Sequence, residues 1–302
     1  MIRFKEKQRM ENSLAVMGTK ESLADIMGMS NTPPSSRSAL AEIKQVHQNI
    51  MGTKKVDGEN MEVAVIKAGA YSVTFPDETV YYSSTITIRP FMQRFQWERW
   101  DDNFTRPDGG SGRMLRSVMG KSLTVDLKDN YGGFNCGRPS GYVKDFSSLP
   151  QETQDVMRGT KRYKIIFGMC TLDDAKDENG KSVDVKEFPF FMRIKNRDSF
   201  KAMADIFGMI QRKNRLPIQH NLKLSSELKS IPSGATYAVV KASLGSEVEI
   251  TTDDQETLNS FVEWVESMNS ITLSKWEEHR RPEELSQADE DIVSSIVEIE
   301  EE

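Results

Sequence analysis

The residues whose types and spacing indicate a function are concentrated between Tyr71 and Phe146. This segment is about a quarter of the chain and holds 13 of its 25 aromatic residues, with cations interleaved among them. Cations follow a phosphate backbone and rings stack on bases that have lost their neighbours, so the combination is typical of proteins that bind single strands regardless of sequence. The rings are Tyr71, Phe75, Tyr81, Tyr82, Phe91, Phe95, Trp97, Trp100, Phe104, Tyr131, Phe134, Tyr142 and Phe146. The cations are Arg89, Arg94, Arg99, Arg106, Arg113, Arg116, Lys121, Lys128, Arg138 and Lys144.

Two stretches of this segment bring rings and cations closest together. Arg94–Trp100 alternates them, and residues 131–144 place them on a chain with four glycines, which is too glycine-rich for a core and lets backbone approach a ligand. We predict one groove bordered by Arg94, Phe95, Trp97, Arg99, Trp100, Phe134, Arg138 and Tyr142. The whole predicted nucleic-acid-binding set is Arg89, Phe91, Arg94, Phe95, Trp97, Arg99, Trp100, Arg113, Arg116, Tyr131, Phe134, Arg138, Tyr142 and Lys144. The alternative is that the rings form a core and the arginines a solvated surface.

The net charge of −6 conceals two segments of opposite charge. Glu247–Glu302 holds 18 acidic and three basic residues, a net charge of −15, which leaves the first 246 residues at +9. A basic body followed by an acidic C-terminal segment is a pattern that suggests an interaction with nucleic acid.

The last 20 residues, Glu283–Glu302, contain nine acidic residues and no basic one. This composition predicts a disordered tail that mimics the charge of DNA, occupies the basic groove when DNA is absent, and is displaced by it. An apolar stripe within the tail is expected to dock on partner proteins as a short helix. The predicted partner-binding residues are Ile292, Val293, Ile296, Val297, Glu300, Glu301 and Glu302. The alternative is a tail that only raises solubility.

The sequence does not predict an enzyme, a metal site or a cofactor. Gly120-Lys121-Ser122 resembles the end of a phosphate-binding loop, but Leu115 stands where that loop needs a glycine. The three histidines and two cysteines lie far apart, without the spacing of a catalytic or zinc motif. Two cysteines also fit a reducing compartment. Because no apolar run is long enough to span a membrane, we expect a cytoplasmic protein.

Many short strands with few helices predict a β-rich (α+β) fold, with an OB-like, partly open β-barrel. The predicted organisation is a helical N-terminal arm over residues 1–60, the barrel with its C-terminal helix over 61–276, and the tail over 277–302. The arm is predicted to contain helices Glu11–Gly28 and Ser38–Met51.

The body is divided by apolar periodicity and turn residues. We predict a helical turn over Arg113–Met119, a strand over Ser122–Leu127, and a hairpin of Tyr163–Leu172 with Val185–Ile194. An amphipathic helix begins near Asp198, and a longer one covers Asp253–Trp276.

Three motifs resemble single-stranded DNA-binding proteins of tailed bacteriophages. They are Tyr82–Phe95, Gly132–Tyr142, and Phe167-Gly168 together with Leu216–His220. The resemblance covers residues 61–269 and implies an OB-fold core, a tail that contacts replication proteins, and work inside the infected host cell. The chain departs from that class in ending on Ile299–Glu302 without a terminal aromatic residue, and in lacking the zinc ligands that some relatives carry.

The sequence therefore predicts sequence-independent binding and protection of single-stranded DNA in phage replication or recombination. The expected partners are single-stranded DNA, phage replication proteins that contact the tail, and other copies of the chain along the same strand. A virion structural or assembly protein is the alternative, with the arm and the tail as assembly contacts.

Overall fold

The structure, a computed structural model, describes residues 40–56, 59–105, 109–232 and 234–300, and only the backbone of residues 54–56, 59–60 and 281–300. None of the described helices is long and apolar enough to cross a membrane. The helices are α1 (Gln151–Gly159), α2 (Arg197–Arg212) and α3 (Thr252–Glu300), with 3-10 turns at Asn135–Gly137 and Pro217–Gln219.

Most strands belong to one mixed sheet of nine, in the order β11-β10-β6-β8-β9-β1-β4-β5, with β7 paired to β6 beside this path. Its neighbours are antiparallel except for β1 and β9, which are parallel. A separate antiparallel pair is formed by β2 and β3. The strands are β1 (Ala41–Gln45), β2 (Ile50–Val56), β3 (Glu59–Ile66), β4 (Tyr71–Thr74), β5 (Val80–Ser83), β6 (Ile86–Thr105), β7 (Ser111–Arg116), β8 (Lys161–Leu172), β9 (Phe188–Ile194), β10 (His220–Ser230) and β11 (Thr236–Glu247).

The long strand β6 contains Pro90, which cannot donate a ladder hydrogen bond. Its register with β8 shifts between Pro90 and Met92, so the strand bends at a bulge and continues. Gly168 lies opposite Pro90, and a Cβ there would stand 2.1 Å from the carbonyl oxygen of Arg89. Only glycine fits this close approach. The second half of β6 thereby stays paired with β8 and carries the first predicted binding stretch.

Strand β8 is covered on both faces, which explains its continuous apolar run. On one face, Ile166 belongs to a core that includes Met203 and Ile210 of α2. On the other face, Phe167 packs in a second core with Phe261 of α3. The two helices therefore lie on opposite sides of the β6–β8 pair.

The sheet is strongly curled, because strands that are distant in the strand order make direct contact. The hydroxyl of Tyr71 in β4 donates to the carbonyl oxygen of Ser225 in β10 at 2.8 Å. The amide of Gln45 in β1 donates to the hydroxyl of Ser226 at 2.8 Å. The β-rich α+β fold is confirmed, whereas the OB-like barrel remains a prediction.

The helix predicted over Ser38–Met51 is wrong, because residues 41–45 and 50–56 are strands β1 and β2. Ala41 and Ile43 are buried while Glu42 and Lys44 are not, which is the period of two that is typical of a strand. Strand β1 pairs with β4 on one side and with β9 on the other. Residues 41–45 of the predicted arm therefore belong to the main sheet. The helix predicted over Glu11–Gly28 lies outside the described residues.

Two predictions in the middle of the chain are also wrong. The helical turn predicted over Arg113–Met119 is strand β7 as far as Arg116, because pairing with β6 overrides local propensity. The strand predicted over Ser122–Leu127 is irregular, since the side chain of Asn135 accepts the Leu127 N–H and no ladder forms. The hairpin of β8 and β9 is confirmed.

Helix α3 begins where the sequence predicts but ends at Glu300 instead of Trp276. Residues 277–300 are thus helical and not the disordered tail that was predicted. They contain no glycine and a single proline, and seven of the 24 residues are Glu, which favours helices.

Candidate nucleic-acid interface

The structure separates the cations into those that meet a carboxylate and those that do not. Arg89 belongs to the first group, and its guanidinium donates to both carboxylate oxygens of Asp254 at 2.8 and 2.7 Å. Its Nε donates to the carbonyl oxygen of Ile218 at 2.7 Å. Because Asp254 lies in the first turn of α3, Arg89 fastens that helix to the sheet.

Arg99, Arg113 and Arg116 are also paired. Arg113 donates through Nε to Asp101 at 2.8 Å, and Arg99 approaches the same carboxylate at 3.9 Å. Arg116 donates through Nε to Glu98 at 2.5 Å. These carboxylates are largely buried, so the ion pairs hold β6 and β7 together and leave little positive charge for a ligand.

Arg138, Arg162 and Lys164 have no carboxylate partner among the residues that the structure describes, and we call them the cation patch. Arg162 and Lys164 alternate along β8, opposite Trp97 and Phe95 of β6. Since alternate residues of a strand point to one face, both side chains leave the same face of the β6–β8 pair.

Lys164 is enclosed by aromatic rings. Its Nζ lies 4.6 Å from the ring centre of Phe200, 5.6 Å from that of Phe207 and 5.8 Å from that of Phe95. Both Phe200 and Phe207 project from α2, whose first turn is capped by Asn196. Cation–π attraction offsets part of the cost of burying the ammonium.

The electrostatics of the cation patch favour an anion. Lys164 is only 3% exposed, and this burial, with repulsion from Arg162, lowers its pKa to about 8. The pKa of Arg138 is also lowered, first by burial and then by Arg162. A nearby phosphate would relieve the repulsion and stabilise all three charged forms.

A notch of about 200 Å³ lies beside the cation patch, with Arg138 and Arg162 among its lining residues. The guanidinium of Arg138 lies 5.1 Å from the ring centre of Trp97, which also lines the notch. Asp126 also lines the notch, and its carboxylate accepts hydrogen bonds from Asn135 and Ser140. Two cations, Trp97 and the carboxylate of Asp126 thus border a small concave site.

Trp97 is mainly a core residue, contrary to its predicted role as a stacking ring. It is 9% exposed and packs with Leu115, Leu127 and Cys136. Cys136 also donates through its Sγ to the carbonyl oxygen of Trp97 at 3.3 Å. For Trp97, the alternative that the rings form a core therefore describes its position better than a stacking surface does.

Other predicted rings differ widely in exposure. Tyr142 is 91% exposed and lies four residues after Arg138, one residue beyond the notch-lining Gly141. Trp100 is 49% exposed and covers Gly112, where a Cβ would stand 2.4 Å from its ring. Phe91 is half-buried against Phe261 of α3, with ring centres 5.7 Å apart. Tyr142 is therefore the predicted ring most open to a base.

The glycine-rich segment contacts α3 at two rings. The ring centres of Phe134 and Trp276 are 5.9 Å apart, and those of Tyr131 and His279 are 4.2 Å apart. The indole of Trp276 also donates to the carbonyl oxygen of Gly133 at 3.0 Å. Tyr131 and Phe134 thus hold the helix against the loop.

The predicted groove is brought together in part. Phe95, Trp97 and Arg138 lie at the cation patch, whereas Arg99 and Phe134 make the separate contacts described above. Arg94 donates to the carbonyl oxygen of Gln93 and meets no carboxylate in the described chain, and Lys144 is exposed.

Sequence reasoning missed Arg162, Lys164 and Phe200. The signal available was the basic run Lys161-Arg162-Tyr163-Lys164, which leads into the predicted strand Tyr163–Leu172 and, in extended backbone, places Arg162 and Lys164 on one face. Phe200 gave no such signal, because it lies on the apolar stripe of an amphipathic helix, and such a stripe is typical of core packing.

The predicted partner-binding residues lie at the end of α3. These five residues, Ile292, Val293, Ile296, Val297 and Glu300, have helical backbone, and the structure describes only their backbone. Glu301 and Glu302 lie outside the described residues. Their predicted role therefore remains a prediction.

Comparison with protein-family models gave no match, and searches of curated proteins and of solved structures gave none either. The resemblance to phage single-stranded DNA-binding proteins thus remains a prediction that rests on the motifs given above.

Proposed function

We propose that this protein binds single-stranded DNA without sequence preference, and that the cation patch is where the phosphate backbone is held. The observation that carries the proposal is Lys164, a buried ammonium with no carboxylate partner in the described chain. A buried, unpaired charge is costly to the fold, and such costs are concentrated at functional sites.

The surroundings of the cation patch support a single strand over a duplex. Phe95 and Phe200 are half-buried beside it and Tyr142 is exposed nearby, so rings stand next to cations. Bases in a single strand can stack on such rings, whereas a duplex keeps its bases stacked internally. We further propose that the curled sheet serves as an OB-like body for this patch, in phage replication or recombination.

Titration of a labelled oligonucleotide, followed by fluorescence anisotropy, tests this function. We expect oligo-dT and a mixed-sequence strand to bind alike, a duplex to bind much more weakly, and the affinity to fall steeply with salt. Equal binding to duplex and single strand would contradict the proposal. A lack of any nucleic-acid affinity together with recovery of the protein in purified particles would instead support virion assembly.

A matched pair of variants locates the site. Arg162→Gln removes an exposed, unpaired patch cation, whereas Arg215→Gln removes an exposed cation that approaches Glu247 at 3.6 Å. We expect Arg162→Gln to reduce the slope of log affinity against log salt by about one phosphate contact, and Arg215→Gln to leave it unchanged. Equal slopes for both variants would place the strand elsewhere on the protein.

A further inference from the structure

A second concave site lies on the opposite face of the sheet, between the strands and α3. This cleft has a volume of about 430 Å³ and is unrelated to the cation patch. Its apolar lining includes Met114, Phe191, Trp264, Met268 and Ile271, and its cationic lining is Arg116, Arg193 and Lys275. Met114, Met268 and Ile271 are 42%, 36% and 47% exposed, which is unusual for large apolar side chains grouped at one site.

The cationic residues that line the cleft outnumber its carboxylates. One carboxylate oxygen of Glu98 accepts a hydrogen bond from Arg116 and forms an ion pair with Arg193, each at 2.5 Å. Lys275 has no carboxylate partner within the described residues, and the lining residue Glu42 is paired with Lys44. The cleft therefore suits a segment that combines acidic and apolar side chains.

The end of this chain has that chemistry. Residues 289–302 carry seven acidic residues and no basic one. Ile292, Val293, Ile296 and Val297 fall on one stripe of a helix because of their i, i+4 spacing. An apolar stripe flanked by carboxylates complements the exposed methionines and the cations of the cleft.

The tail cannot fold back into the cleft of its own molecule, because the tail and one wall of the cleft belong to the same continuous helix. Lys275, in the wall of the cleft, and Ile292, in the tail, both belong to α3, which runs unbroken to Glu300. With 1.5 Å of rise per residue, Ile292 is about 25 Å further along the axis. A second copy has no such restriction.

We propose that the acidic end of α3 in one copy docks in the cleft between α3 and the sheet of another copy. The two surfaces are different, so each copy has one free tail and one free cleft, and association is head-to-tail and open-ended. Copies joined in this way form a row, independently of whether DNA is bound.

Sedimentation velocity of the full chain tests this association without nucleic acid. We expect a concentration-dependent series of species larger than the dimer. High salt should dissociate them, because the contact is partly ionic. Deletion of Glu283–Glu302 should give a monomer, as should the double variant Ile271→Glu, Lys275→Glu, whose sites are exposed and therefore tolerate the change. Met209→Glu, at an exposed apolar residue of α2 outside the cleft, is the matched control and should assemble normally.

A mixture of the two assembly-deficient proteins is the most stringent test. The tail-deleted chain keeps its cleft and the cleft variant keeps its tail, so an equimolar mixture should form a dimer and nothing longer. A full chain that is monomeric at every concentration, unchanged assembly after the deletion, or a mixture that stays monomeric would each overturn the proposal. The strand-binding titration above is unaffected by any of these outcomes.

Discussion

The cations beside the two faces of the β6–β8 pair differ in their neighbours. On the face toward α3, Glu98 lies between Arg116, from which it accepts a hydrogen bond, and Arg193, with which it forms an ion pair. On the opposite face, Arg162 and Lys164 have aromatic neighbours and no carboxylate among the described residues. The cations on the first face stabilise the fold, whereas on the second face the buried, unpaired Lys164 raises its energy.

The comparison explains why the density of arginines alone is a poor guide to a binding surface. Arg89, Arg99, Arg113 and Arg116 are all in the predicted binding set, and each is held by a carboxylate. An ion pair already supplies the negative charge that a phosphate would supply, so a paired arginine gains less from DNA. The following changes test this distinction.

Replacing the carboxylate of the paired face should have the largest effect. In Glu98→Gln, the half-exposed Arg116 and the less exposed Arg193 lose the buried carboxylate that they share, and we expect the free energy of unfolding to fall by about 2–3 kcal/mol. Urea denaturation measures the change. The control is Glu227→Gln, which breaks an exposed pair with Lys241 and should have a much smaller effect. Similar losses for the two variants would contradict the structural role of Glu98.

Removing the buried charge of the other face should have the opposite sign. Lys164→Met replaces an unpaired ammonium by an apolar chain of similar size, so we expect stability to rise by about 1–3 kcal/mol while affinity for single-stranded DNA falls. Urea denaturation and oligonucleotide titration of the same preparation measure both. A variant that is less stable than the parent would show that Lys164 is held by the fold and not kept for a ligand.

The same residue predicts a pH dependence of stability. Its pKa is lowered on folding from 10.5 to about 8, so between these values the unfolded chain binds more protons than the folded one. The penalty from Lys164 is therefore complete below about pH 8 and disappears as the pH rises toward 10.5. The stability difference between Lys164→Met and the parent should shrink over this window, as paired denaturation curves would show.

Loss of an exposed ring near the cation patch should weaken binding alone. Tyr142 makes no ring contact in the described part of the chain and is 91% exposed, so Tyr142→Ala should leave the melting temperature unchanged. Affinity for a single strand should fall by about 1–3 kcal/mol, the value of one stacked base. Tyr142→Phe retains the ring and should bind as the parent does. Equal affinities for all three proteins would remove Tyr142 from the interface.

Deleting the tail should have the smallest effect, and one that depends on salt. Removal of Glu283–Glu302 changes the formal net charge from −6 to +3, so the truncated protein should bind single-stranded DNA more tightly at low salt. Screening should reduce this gain at high salt. Serine substitution of Ile292, Val293, Ile296 and Val297 keeps the charge and should give no gain. Equal affinities of full-length and truncated protein at low salt would show that the tail does not oppose DNA binding.

Local sequence determined the elements whose periodicity agrees with their environment. The hairpin of β8 and β9, helix α2 and the start of α3 follow from apolar spacing, turn residues and capping, all of which act over a few residues. Strand β1 was predicted as a helix because Leu40, Ile43 and Val46 also fit a helical spacing. Its partners, β4 and β9, are about 30 and 150 residues away along the chain, and no local pattern specifies them.

The sequence by itself determined that a basic, ring-rich body precedes an acidic end, because composition and order do not depend on folding. Which cations are neutralised was decided only by the tertiary structure. Coulombic attraction and burial depend on distance in space, and the register of β6 with β7 and β8 determines that Glu98 meets Arg116 while Arg162 and Lys164 face rings. Residues that are equivalent in charge along the chain thereby acquire different electrostatic environments.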